Sequence, residues 1–206
     1  LIGETWAKLG TPDYTAFLTA VMNSDAELMF TSFYQTDALT MTKQSIALGL
    51  DGKIPIVGLW WGMYAMCQKF NKDFYPKKTI GGSQYSFWAI DAPESKRFVD
   101  HINSKYGVFP EYAVSSYSFV KTLAKAINKV GALETEKVIN ALEGAIMESP
   151  VGPVEIRACD HQAMWPTYAG IIGEVPGFNF YAPQKPVVMG REIYPTCEEI
   201  AKVRGK

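Results

Sequence analysis

The sequence has few of the residues on which enzymes and metal sites usually rely. Its two histidines are His101 and His161. His101 lies in the charged stretch from Lys96 to Lys105 and is expected to face solvent. His161 follows Asp160 in an expected turn. The three cysteines, Cys67, Cys159 and Cys197, lack CxxC spacing, which argues against a zinc knuckle or a thioredoxin-type pair. In an exported protein Cys159 can pair with Cys197, leaving Cys67 buried; in a reducing compartment all three would be reduced thiols. Spacing does not choose between these. There is no GxSxG elbow, P-loop or HExxH, and Gly81-Gly82-Ser83 is too short for a dinucleotide fingerprint.

An excess of one charge is also missing. Lys and Arg number 20 against 21 Asp and Glu, so the chain has no basic field for a phosphate backbone, and nucleic acid is excluded as the expected partner. Long apolar runs are absent too. The longest uncharged stretch, Ile54 to Gln68, contains Pro55 and is too short to span a bilayer, so it reads as a buried strand followed by a helix. No basic segment followed by an apolar one opens the chain at Leu1, and the expectation is that a signal peptide has already been removed.

Aromatic residues are plentiful, at 13% of the chain, and core packing alone is a thin explanation for that share. Apolar spacing gives the order of elements. Leu1–Thr5 reads as a strand. Thr11-Pro12-Asp13 reads as a helix start with a hydroxyl cap, and Tyr14, Phe17, Leu18 and Val21 follow at helical spacing. Leu28–Phe30 and Ile54–Leu59 read as strands, with a helix between them that stops near Gly49. This alternation predicts a parallel sheet with helices on both faces. Ser83–Ile90 is extended and aromatic. Two helices follow, one stopping at Gly107 and one over Glu111–Val130 stopping at Gly131. The second should bury Ala113, Tyr117, Val120, Ala124 and Ile127. A short helix is expected at Thr135–Leu142, β-structure at Gly152–Arg157 and Tyr168–Val175, and a short helix at Cys197–Val203.

Several segments, in order, resemble one family. They are Gly3-Glu4-Thr5-Trp6, Leu9 to Tyr14, Asp25 to Phe30, Lys43-Gln44 with Gly49-Leu50, and Ser116-Tyr117 with Ala124, Ala126 and Ile127. Gly152-Pro153-Val154, Arg157, Asp160-His161-Gln162 and Pro166-Thr167-Tyr168 complete the series. The series resembles the C-terminal part of branched-chain amino-acid-type solute-binding proteins, the type I periplasmic binding proteins that feed ABC importers. The resemblance implies an α/β fold: the three-layer α/β/α lobes of a two-lobed clamshell, with the first lobe incomplete. Residues 1–88 would form the second lobe, 89–174 the C-terminal part of the first, and 175–206 a return to the second. An N-terminal segment of the same protein would be missing.

In open α/β sheets ligands sit beyond the carboxyl ends of the strands. Thr31–Asp37 and Trp60–Tyr64 follow two such ends, and both carry aromatics. Tyr34, Trp60, Trp61, Tyr85 and Trp88 are therefore the candidate ligand-binding residues, with Asp37 as a partner for a cationic group and Tyr117 as a contact from the long helix. For each there is a plainer role: one of Trp60 and Trp61 in the core, Tyr34 on the next helix, Asp37 as a helix cap, Tyr117 as a core tyrosine. The resemblance places Tyr34 at the aromatic lining the second-lobe side of the site. It places Trp60 near where amino-acid-binding members carry an acid for the ligand's ammonium group. An indole offers only cation–π attraction and one donor there, so the expected ligand is an amino acid or a related small organic acid with an aromatic or apolar body. The expected function is that of the extracytoplasmic, periplasmic substrate-binding component of an ABC importer, with a membrane permease as partner, no cofactor and no metal. A ligand-sensing ectodomain of the same fold is the alternative. A hydrolase using His161 is a third reading, for which no nucleophile has a recognisable setting.

Overall fold

The structure, a computed structural model, describes residues 1–205. In chain order the elements are α1 (Thr15–Met22), β1 (Met29–Thr31), α2 (Gln35–Ala47), α3 (Leu50–Lys53), β2 (Ile56–Gly58), α4 (Tyr64–Cys67) and β3 (Thr79–Ser83). Then come α5 (Pro93–Tyr106), α6 (Ala113–Val130), α7 (Thr135–Leu142), β4 (Ile146–Ser149), β5 (Gly152–Glu155), β6 (Thr167–Glu174), β7 (Tyr181–Pro183), β8 (Val187–Met189) and α8 (Cys197–Val203). They fall into two units. One holds 1–89 and 168–187, the other 90–167 and 188–205.

The first unit is built on a mixed sheet in the order β1-β2-β3-β6-β7. β1, β2 and β3 run parallel, and β6 joins β3 antiparallel. One sheet face, carrying Ile56 and Ile172, packs with Tyr14, Leu18, Met41, Leu50 and Trp61 in the core beneath α1, α2 and α3. Close backbone approach makes this possible. A Cβ on Gly81 would lie 2.6 Å from the Gly62 nitrogen, and one on Gly58 would lie 2.2 Å from the Trp61 ring. The other sheet face is not covered in the same way. Register aligns Phe30, Val57, Ile80 and Ile171 across four strands, and the two outer members are exposed.

Leu1–Thr5 forms no strand; Leu1 and Ile2 are exposed, without a ladder to supply their backbone partners. α1 begins at Thr15, later than the Thr11 signal suggests. Thr11 Oγ1 is spent on the Lys8 carbonyl at 2.6 Å, and the Asp13 carboxylate accepts from the Thr15 amide at 2.8 Å instead.

The second unit is α5, α6 and α7 with the antiparallel β4–β5 hairpin and α8. α5 and α6 end as expected, at Gly107 and Gly131 in the left-handed region, where a side chain would be strained. The buried stripe of α6 differs from the expected one. It is Val114, Ser118, Thr122 and Ala126, while Ala113, Tyr117, Val120 and Ala124 are exposed. Small polar residues can occupy the buried side because their hydroxyls are satisfied locally. Ser118 donates to the Val114 carbonyl at 2.7 Å and Thr122 to that of Ser118 at 2.9 Å. The tail also differs in grouping. Residues 188–205, expected to return with residues 1–88, belong with 90–167, fastened by the Cys159–Cys197 disulfide and by Arg157 Nη1 donating to the Pro195 carbonyl at 2.7 Å. Residues 168–174 belong with the first unit because β6 pairs with β3.

Candidate functional site

The carboxyl ends of β1 and β2 place two aromatic side chains together. After β1 the chain turns at Thr31, whose hydroxyl accepts from the Phe33 amide, and Phe33 packs edge-on against Tyr14 at 5.0 Å. That anchors the turn and leaves the next residue, Tyr34, 41% exposed at the start of α2. After β2, Trp60 is half-buried. The Tyr34 and Trp60 rings meet edge to face, 6.0 Å between centroids. Such a pair offers an apolar surface with a polar rim, suited to a flat or apolar ligand body.

The remaining candidates separate from this pair. Trp61 has 0% exposure and belongs to the core, its ring accommodated by the absent side chain of Gly58. Its indole Nε1 makes no hydrogen bond there. Asp37 is buried and accepts from the Gly10 amide at 3.1 Å, so it fixes the preceding coil to α2. The nearby Tyr14 hydroxyl has no hydrogen bond of good geometry. Burial first, then the Asp37 carboxylate, pushes its pKa up. Tyr85 is buried: the Ser83 hydroxyl accepts its amide at 3.1 Å and turns the chain inward after β3. Trp88 donates its indole N–H to the Pro183 carbonyl at 3.0 Å and packs edge-on against Phe87 and Phe180. It braces the end of the first unit's chain. Tyr117 lies in the other unit, its ring tilted against Phe98 at 4.9 Å with Lys121 Nζ 4.8 Å from its centroid.

Asp160 and His161 do not act as a pair. Asp160 receives both Arg157 Nε (2.9 Å) and Nη2 (2.6 Å), and this ion pair is buried, with side chains 6% and 8% exposed. Arg157 holds the Asp160 carboxyl down at about 2. His161 Nε2 lies instead 2.8 Å from Glu143 Oε1, at the surface. Among the described residues, no group of three or more His, Cys, Asp and Glu is placed to hold a metal, and no helix is long and apolar enough to cross a membrane.

A family model described as "Periplasmic binding protein" matches residues 1–173. The chain belongs to the periplasmic binding protein family. Solved structures repeat its fold. An amino acid ABC transporter substrate-binding protein from Pseudomonas fluorescens superposes with a TM-score of 0.80 at 18% identity, over 96% of this chain and 52% of that one. A solute-binding protein of an ABC transporter from Rhodopseudomonas palustris, in complex with 3,4-dihydroxybenzoic acid, gives 0.68 at 22% identity, over 88% and 51%. A leucine-, isoleucine-, valine-, threonine- and alanine-binding protein from Brucella ovis, in a closed conformation, gives 0.69 at 18%, over 93% and 48%. The chain thus spans about half the length of these periplasmic binding proteins.

Two motifs of this periplasmic binding protein chain turn out to be structural. Gln44 uses both ends of its amide, accepting from the Tyr14 amide at 2.6 Å and donating to the Pro12 carbonyl at 3.0 Å. It ties α2 to the entry of α1. Arg157 and Asp160 tie the β5–β6 connection to the tail. Neither role was evident from residue type; a buried arginine announces itself only through its partners.

Proposed function

We propose that this chain is the C-terminal part of an extracytoplasmic solute-binding component of an ABC importer, working with a membrane permease. Its ligand is a small organic acid with an aromatic or apolar body, bound against the edge-stacked Tyr34 and Trp60. The single observation that carries the reading is the position of that pair, beyond the carboxyl ends of parallel strands, where this class of sheet presents its ligands. Two facts favour an aromatic or apolar acid over a plain amino acid. The acid nearest in sequence to the pair, Asp37, is buried and engaged by Gly10, and an ammonium group taken out of water needs a counter-charge. One neighbour of the same fold is in complex with a dihydroxybenzoic acid, while others are described as amino-acid-binding proteins. The binding role requires no cofactor or metal.

A thermal-shift screen of the protein in its longest encoded form, against amino acids, hydroxybenzoates and short amides, tests the reading. Stabilisation by at least one aromatic or apolar acid is expected, because binding to the folded state alone raises Tm by mass action. No shift across the whole panel contradicts it.

A further inference from the structure

The sheet of the first unit has one face without a cover. Phe30, Val57, Ile80 and Ile171 lie in register on adjacent strands, and all four are apolar. Phe30 is 62% exposed and Ile171 57%; Leu28 and Leu59, flanking β1 and β2, are exposed as well. The opposite face packs in the core under α1, α2 and α3. Strands that run parallel, as β1, β2 and β3 do, are normally covered on both faces by helices and carry apolar residues on both. A patch of this composition is the mark of an interface rather than of a solvated surface.

The second unit repeats the pattern independently. The apolar spacing of α6 points Ala113, Tyr117, Val120 and Ala124 outward, while its packed side is built from smaller residues.

We infer that the Phe30–Val57–Ile80–Ile171 face is the docking surface for amphipathic helices from the other half of the same periplasmic binding protein, supplied by polypeptide outside these 206 residues. Length is what selects this occupant. The chain is covered to 88–96% by neighbours of which it covers only about half. Those neighbours carry about as much polypeptide again, enough to close a sheet face with helices. The inference rests on family membership and not on the ligand assigned to Tyr34 and Trp60, so either can fail without the other.

Cysteine accessibility tests it. Ile171→Cys places a thiol on the face. Cys67 is buried, and Cys159 and Cys197 are joined to each other. Maleimide modification is compared between the 206-residue chain and the chain extended by the residues encoded upstream of it, with the wild-type versions of both as background. Modification at least tenfold slower in the extended chain is expected. Equal rates in the two overturn the inference, as does an upstream frame that encodes no such residues. A face already protected in the 206-residue chain, with protection rising alongside a sedimentation-detected dimer, assigns it to a second copy and also overturns the inference. Should Ile171→Cys fail to fold, anilinonaphthalene sulfonate fluorescence of the two wild-type forms reads the same face. A severalfold drop on extension is expected, and no drop counts against it.

Discussion

Trp60 and Trp61 are adjacent in sequence, yet a substitution at each is expected to report on a different property. Trp61 is sealed in the core, so Trp61→Ala should cost about 3–5 kcal/mol of stability. Trp60 stands at the surface beside Tyr34, so Trp60→Ala should leave Tm nearly unchanged and weaken ligand binding about tenfold, ~1.4 kcal/mol. Thermal melts and ligand titrations of the two variants check both halves. A large loss of stability in Trp60→Ala would move it into the core. The sequence gave no means of ranking the two indoles. What separates them is the gap left at Gly58, a three-dimensional fact whose sequence trace is only a glycine three residues upstream. Tyr85 was beyond reach for a similar reason, since a single hydroxyl–amide bond from Ser83 turns it inward.

At the level of elements, close packing and one tether dominate. Gly81→Ala drives a Cβ against the backbone of Gly62, a rigid neighbour, and should destabilise the first unit by about 1–3 kcal/mol or more. Chemical denaturation of the variant measures this. Cys159 and Cys197 close a loop with a sequence separation of 38, for which chain-entropy arguments give ~4 kcal/mol. The double serine variant should lose most of that, and a loss near zero would show that Arg157 and the Thr196 capping box hold the tail unaided. Acid should act on the same region. The Asp160 carboxyl is depressed to about 2 by Arg157. A carboxyl lowered on folding contributes stability above its unfolded value and loses it as pH falls through the folded value. Stability should therefore decline between pH about 4 and about 2, and Asp160→Asn should flatten that limb of the pH profile. The glycine stops at Gly107 and Gly131 and the strand at Leu28–Phe30 were readable within a residue or so, because φ preference and short apolar runs are local. The face of α6 was not. Periodicity marks an apolar stripe without saying what covers it, and here the covered stripe is the one lined with serine and threonine.

For the whole molecule, the ordered motifs led to the right family, while composition led only to a neutral α/β chain. Half the neighbours' length is matched, and both units keep apolar surface uncovered, so the chain is best understood as a platform for the ligand-facing aromatics and for further polypeptide. The disulfide in the second unit suits the oxidising compartment in which a periplasmic binding protein would work. The central claim is that the Tyr34–Trp60 edge holds the body of an aromatic or apolar acid. Isothermal titration of the longest encoded form and its Trp60→Ala variant with 3,4-dihydroxybenzoate, and with leucine as the amino-acid comparison, tests it most directly. Tighter binding of the benzoate, weakened about tenfold by Trp60→Ala, is the predicted result; tighter binding of leucine, with Trp60→Ala leaving both affinities unchanged, would contradict it.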